Sequence, residues 1–211
     1  MPPLGPLNAI VDVERAAEAG WTPVDLAGAY LRGGVRFLQL RAKTMSSADM
    51  LDAASAIVSR AHRAGAIVIV NDRADIARLA DADGVHVGQD DLSARDARRV
   101  VGERAIVGLS THTVPQLERA LDEPISYVAI GPVFATATKD TGYRAVGLDL
   151  VRAAAERAGR RGVPLVAIGG MTIETSRAVV DAGAAAIAVI ADLLVGGDAE
   201  SRARAFVERL S

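Results

Sequence analysis

Two short stretches place charged and amide side chains where an apolar pattern stops. In VNDRADIARLADADGVHVGQDD, Val70 to Asp91, apolar runs end in Asn71, Asp72, Gln89, Asp90 and Asp91; in FLQLRAK, Gln39, Arg41 and Lys43 alternate with Leu38, Leu40 and Ala42. Charged groups cost free energy when they leave water, so carboxylates gathered where strands finish require a cation, a donor or a substrate. Side chains two apart share one face of a strand, which sends Gln39, Arg41 and Lys43 one way and the apolar residues the other, toward helices. An Arg and a Lys on one inward face repel each other unless an anion joins them. Pairing to neighbouring carboxylates for structure alone is the competing reading, about equally weighted for one such pair.

Asp72 closes one strand and Asp91 follows the next, so adjacent strands bring two carboxylates to one gap. Such a pair with water positions left open suits magnesium, which shares its shell with substrate phosphates. Helix capping is the plainer role for aspartates before SARDARR, and Asp90 is the expected cap ahead of Asp91. His86, inside a short apolar strand, reads as a hydrogen-bonded core residue or at most a pocket wall. His112 in STHT reads as a loop or cap residue, and Ser110, nearer the strand end, as a phosphate contact. In GPVFATATKD, the hydroxyls of Thr136 and Thr138 and the ammonium of Lys139 form a loop suited to gripping a diphosphate, and the loop resembles a lid. An ordinary solvated loop is the alternative. In AIGGMTIETS, Gly169 and Gly170 precede a helix and offer a second anion site through backbone N–H groups and the helix N-terminus, where a tight turn is the simpler explanation. A Cβ at Gly170 is expected to obstruct this second site more than the first.

These residues need a frame that collects strand ends. Eight short apolar runs recur: LNAIVD, RFLQLRA, AIVIVND, GVHVG, AIVGLST, YVAIGPV, PLVAIGG and AIAVIAD. Helix-like stretches lie between them, among them SSADMLDAASAIVSRAHRAG, opened by Ser and closed by Gly, then GLDLVRAAAERAGRRG and finally AESRARAFVERLS. Strict alternation implies parallel strands joined by right-handed crossovers, and eight units close a (β/α)8 (TIM) barrel, whose active sites lie at the C-terminal strand ends. A doubly wound open sheet is the structural alternative, but the spaced-glycine dinucleotide fingerprint is missing after the first strand. No linker or low-complexity tract divides the chain, so residues 1–211 are expected to form a single barrel domain.

Composition agrees. Of 211 residues, 50% are hydrophobic and 3% aromatic, a stock of small and medium side chains suited to packing helices on a buried sheet. A net charge of −2 gives no footprint for a nucleic-acid backbone, and few rings are available for base stacking. With no cysteine, disulfides and thiolate metal sites drop out. No apolar run approaches bilayer length and the start MPPLGPL lacks the regions of a secretion signal, so a cytoplasmic protein without a membrane partner is the expectation. The oligomeric state stays open, a homo-oligomer included.

Two anion sites, one with a magnesium pair, fit a transferase joining two phosphorylated small molecules better than an isomerase that needs one. The segments QLRAK, VNDRADIA, ADGVHVGQDD, GLSTHT, GPVFATATKD and VAIGG, in this order, resemble the thiamine phosphate synthase family over nearly the whole chain. The resemblance implies a (β/α)8 barrel with magnesium as cofactor. Its reaction joins hydroxymethylpyrimidine diphosphate to a thiazole phosphate, releasing diphosphate. At matching positions it assigns Gln39, Arg41, Lys43, Asn71, Thr136, Thr138 and Lys139 to the pyrimidine diphosphate and Asp72 and Asp91 to magnesium. Ser110 and Lys139 face the leaving diphosphate, and Gly170, Ile190 and Ala191 offer backbone groups to the thiazole phosphate. The family often has Ser where this chain has Ala191, and a backbone contact survives that change. The implied chemistry is dissociative and uses no side-chain nucleophile. A related barrel that isomerises a thiazole phosphate is the nearest rival, opposed by Asp91, Lys43 and the TATK loop. A non-catalytic binder of thiamine phosphates on the same barrel is a rival of another class, one with no need of paired magnesium carboxylates.

Overall fold

The structure, a computed structural model, describes residues 4–136 and 143–211. Eight parallel strands follow one another in sequence order around a closed barrel: β1 (Leu7–Asp12), β2 (Phe37–Arg41), β3 (Ile67–Asn71), β4 (Gly84–Val87), β5 (Ile106–Thr111), β6 (Tyr127–Ile130), β7 (Leu165–Ile168) and β8 (Ala186–Val189). Closure comes from β1 pairing with β8 in the register Leu7↔Ile187, Asn8↔Ala188 and Ala9↔Val189. All eight apolar runs of the sequence are strands, and the open-sheet alternative is excluded by this last pairing.

Helices fill the crossovers: α1 (Val13–Glu18) and α2 (Pro23–Arg32) after β1, then α3 (Ser47–Arg63), α4 (Ala74–Leu79), α5 (Ala94–Val101), α6 (Val114–Ala120), α7 (Gly147–Arg160), α8 (Ile173–Asp181) and α9 (Ala199–Leu210). Their starts follow from side chains that accept the backbone N–H three residues on. Thr22, Ser46, Ser93, Thr113, Thr172 and Asp198 each do so. The cap of α5 is therefore Ser93, and the expectation that Asp90 caps it is corrected: a helix takes the cap adjoining its first turn, and Asp90 lies three residues earlier. Gly65, at φ 67°, stops α3 where a side chain would be strained.

The two-residue period sorts the core into two layers. Leu38, Leu40, Val68 and Val70 pack outward against the helices, while Ile10, Phe37, Ile69, Ile106, Tyr127 and Val166 fill the barrel interior. Each full burial of such a side chain contributes roughly 1.5–3 kcal/mol. Phe37 and Tyr127 meet edge to face at 5.9 Å and plug the interior. Ala129 and Ala188 leave space nearer the top. Among the described residues no helix is long and apolar enough to cross a membrane.

Candidate active site

That space is a cavity of about 380 Å³ at the C-terminal ends of the strands, the face on which barrel enzymes carry their chemistry. Gln39, Arg41, Asn71 and Ser110 line it from β2, β3 and β5, and Thr136, Gly170, Ile190 and Ala191 from the connections after β6, β7 and β8. Thr138 and Lys139 lie outside the described residues.

The two carboxamides are the telling polar groups. Gln39 is 4% exposed and Asn71 9%, yet neither side chain has a hydrogen-bond partner among the described residues. Both side chains line the cavity, so the two carboxamides offer it donors and acceptors for a polar ligand. Asn8, on β1 at the cavity wall, adds a buried Oδ1 with no partner. The sequence reading missed Asn8 because, within LNAIVD, one Asn reads as a strand residue; only barrel closure shows that it faces inward.

The cations are already paired. Arg41 donates through Nη1 to the buried Asp12 carboxylate, and Lys43 donates through Nζ to Asp72. Among the described residues Asp12 is the guanidinium's one partner, which leaves most of its five N–H donors for an anion in the cavity. Asp12 also accepts from the Arg15 N–H and so starts α1. Pairing to neighbouring carboxylates, the structural reading of Arg41 and Lys43, is thus what the arrangement shows. The turn after β2 is held by Glu14, which accepts from Lys43 N, Thr44 N and Thr44 Oγ1 at 2.9, 3.0 and 3.0 Å.

Lys43, Asp72 and Asp91 form a cluster beside the cavity rather than part of its lining. Asp72 has φ 63°, the left-handed region, and its N–H donates to His86 O at 2.8 Å. Asp tolerates that conformation better than most residues. Burial, and then the adjacent Asp91, push the Asp72 carboxyl above its ordinary value, while Lys43 opposes the shift. Asp91 Oδ2 accepts from Gly88 N at 2.8 Å, which fixes it across the gap between β3 and β4. Two carboxylates in contact repel when both are ionised, so the pair suits a cation. No cluster of three or more His, Asp or Glu that could hold a metal occurs among the described residues.

The histidines are resolved as fixed parts. His86 bonds to Tyr127 and Ser110, and His112 Nδ1 reaches Gly131 O at 2.6 Å while its ring stacks on Tyr143 at 4.2 Å. His112 thus ties the end of β5 to the loop after β6.

On the opposite side, the expectation that the α8 N-terminus points at an anion needs correction. Ile173 N donates to Asp192 Oδ2, Thr175 N to Thr172 Oγ1, and Thr172 N to Thr175 Oγ1. The Thr172, Ile173 and Thr175 N–H groups are thus taken by the protein itself, which leaves an anion there to rely mainly on the loops at Gly169–Gly170 and 190–191. The second expectation about Gly170, that a Cβ would mainly block a phosphate, is also altered. At φ 64° a Cβ would stand 2.6 Å from Ala135 O and 2.7 Å from Phe134 Cβ, striking the loop that carries Thr136. Asp192, which the sequence reading passed over, anchors this side by also accepting from Arg202 Nη2 at 2.6 Å.

The chain is similar to known proteins. Residues 7–193 match the family model described as thiamine monophosphate synthase. A thiamine-phosphate synthase of Koribacter versatilis is 48% identical over 178 residues, covering 84% of this chain and 82% of that protein. One from Roseiflexus sp. is 39% identical over 201 residues, covering 95% and 83%. The solved thiamine phosphate pyrophosphorylase from Pyrococcus furiosus superposes with a TM-score of 0.86 at 26% identity, over 97% of this chain and 94% of that one. With a family model spanning most of the sequence and relatives well above 30% identity, the chain belongs to the thiamine monophosphate synthase family.

Proposed function

We propose that residues 1–211 form one catalytic barrel that joins 4-amino-2-methyl-5-hydroxymethylpyrimidine diphosphate to 4-methyl-5-(2-hydroxyethyl)thiazole phosphate, giving thiamine phosphate and diphosphate. The observation that carries this reading is the cavity wall on which unpartnered Gln39 and Asn71 carboxamides adjoin a guanidinium with donors to spare. A flat polar heterocycle bearing an anionic group matches that wall. The family membership names the reaction class.

In the reaction, the bond between the pyrimidine methylene carbon and its diphosphate oxygen breaks, the electron pair leaving with diphosphate. The thiazole nitrogen then donates its lone pair to the methylene cation. Gln39 and Asn71 orient the pyrimidine ring. Arg41, Lys43, Ser110, Thr136, Thr138 and Lys139 hold the diphosphate and offset the charge that develops on it. Gly170, Ile190 and Ala191 present backbone groups to the thiazole phosphate. Orientation of two rings and preorganised charge are what such a step requires, with no nucleophile or base.

Asp72 and Asp91 fit Mg2+: two carboxylates leave the remaining positions to water and substrate oxygens, which is how this small cation is usually held. When bound, it supplies charge neutralisation on the diphosphate. The ligands read in this way are small phosphorylated molecules, the site is cytoplasmic, and neither nucleic acid nor membrane takes part. Incubation with both substrates and magnesium, followed by chromatography, is the test. Thiamine phosphate and diphosphate in equal amounts are expected; intact substrates, or a thiazole isomer alone, would overturn the reading.

A further inference from the structure

Gly108 lies between His86 on β4 and Tyr127 on β6 in the strand register. Its missing side chain lets two rings meet across β5: a Cβ there would sit 2.1 Å from Tyr127 Cζ and 2.5 Å from His86 Nδ1. The rings lie 21° from parallel with centroids 5.5 Å apart. Tyr127 Oη is 2.8 Å from His86 Nδ1, and His86 Nε2 is 2.8 Å from Ser110 Oγ.

The order of donors along this chain follows from what each atom can do. Tyr127 is fully buried, and burial pushes its phenol far above the usual range, so the hydroxyl keeps its proton. Among the described residues its one hydrogen-bond partner is His86 Nδ1. A buried O–H without an acceptor costs about 1–3 kcal/mol, so the phenol donates to Nδ1. A neutral imidazole that accepts at Nδ1 carries its proton on Nε2. That N–H donates to Ser110 Oγ and occupies a lone pair there. The seryl proton then has no acceptor among the described residues and turns to the cavity that Ser110 lines.

We propose that Tyr127 and His86 are positioning residues for the transfer reaction: Tyr127 holds His86 as the Nε2–H tautomer, and His86 makes the Ser110 hydroxyl an obligate donor to an oxygen of the diphosphate. This rests on the reading of the cavity as a diphosphate-transfer site. If the ring pair served packing alone, the direction of its hydrogen bonds would not affect turnover.

Two measurements test the proposal, and the first needs neither substrate nor a variant of the relay. The sequence has three histidines, so long-range 1H–15N spectra of the wild-type chain, with His62→Gln and His112→Gln used for assignment, read the His86 tautomer directly. Nε2–H is expected; Nδ1–H or an imidazolium near neutral pH overturns the relay, even if Tyr127→Phe fails to fold. The second is a double-mutant cycle. Tyr127→Phe should lower turnover about tenfold, the scale of one hydrogen bond to a charged group, with KM for the thiazole phosphate unchanged. Tyr127→Phe combined with Ser110→Ala should be no slower than Ser110→Ala alone. Fully additive losses, or an unchanged rate in Tyr127→Phe, overturn the positioning role. A wild-type chain with the Nε2–H tautomer that makes no thiamine phosphate overturns the functional reading, and the positioning role with it, while the donor order stands.

Discussion

At the scale of single residues, the site separates groups that fix one another from groups held ready for a ligand. Asp12 and Asp72 engage Arg41 and Lys43, while Gln39 and Asn71 are buried and left open. A buried carboxamide with nothing to bond is tolerated only where a ligand or water completes it. Lys139 belongs to the same scale. If it meets the charge that grows on departing diphosphate, it matters more in the transition state than in binding. Lys139→Ala should lower single-turnover rate by roughly 10²–10³ with a smaller change in substrate affinity, and Lys139→Arg should restore only part of it, because a planar fork replaces a compact ammonium. A higher dissociation constant with an unchanged chemical step would assign Lys139 to binding and pass the leaving-group role to Arg41 and Lys43.

At the scale of elements, two connections set the geometry. The turn after β2 hangs on Glu14, whose Oε1 takes three hydrogen bonds from Lys43 and Thr44. Burial opposes ionisation there, but the hydrogen bonds from Lys43 and Thr44 outweigh it and hold the carboxyl below its ordinary 4.5. A lowered carboxylate stabilises the fold fully above its unfolded value, and that contribution is lost as pH falls through the folded value. Glu14→Gln should cost about 1 kcal/mol near neutral pH and remove part of the acid limb of the stability curve, as read by denaturant titration from pH 7 to 3. An unchanged acid limb would show that the turn holds without the charge. The second connection follows β7. Since a Cβ on Gly170 strikes Phe134 and Ala135, Gly170→Ala should weaken binding of both substrates, measured by calorimetry for each. Loss confined to the thiazole phosphate would mean that the loop after β6 yields without cost.

At the scale of the whole molecule, closure of the barrel is what makes one cavity of about 380 Å³ from residues as distant as Gln39 and Ala191. Ligands that bind only the closed fold must stabilise it by mass action. At about a hundred times its dissociation constant, thiamine phosphate should contribute about 2.7 kcal/mol, a rise in Tm on the order of 5–10 °C for a chain of this size. Diphosphate should add to the rise with magnesium present and lose most of its effect in excess chelator. A diphosphate shift indifferent to chelator would remove Asp72 and Asp91 from the metal role.

The sequence by itself determined the frame. Eight apolar runs separated by amphipathic stretches admit few topologies, and the period of two in FLQLRAK decides which side chains turn inward. It also pointed to Gln39, Arg41, Asn71 and Ser110 in the cavity wall, because polar residues that close apolar strands are costly unless used. What it could not hold was any property of pairs distant in the chain. Arg41 meets Asp12 across 29 positions, and Tyr127 meets His86 across 41. Asp192 takes the Ile173 N–H that a sequence reading leaves free for an anion, and Asn8 faces the cavity only once β1 pairs with β8. Strand pattern is a local property of side-chain direction. Which donor meets which acceptor is decided by the closure that brings strand ends together, so partners, tautomers and the space denied to a Cβ belong to the tertiary structure.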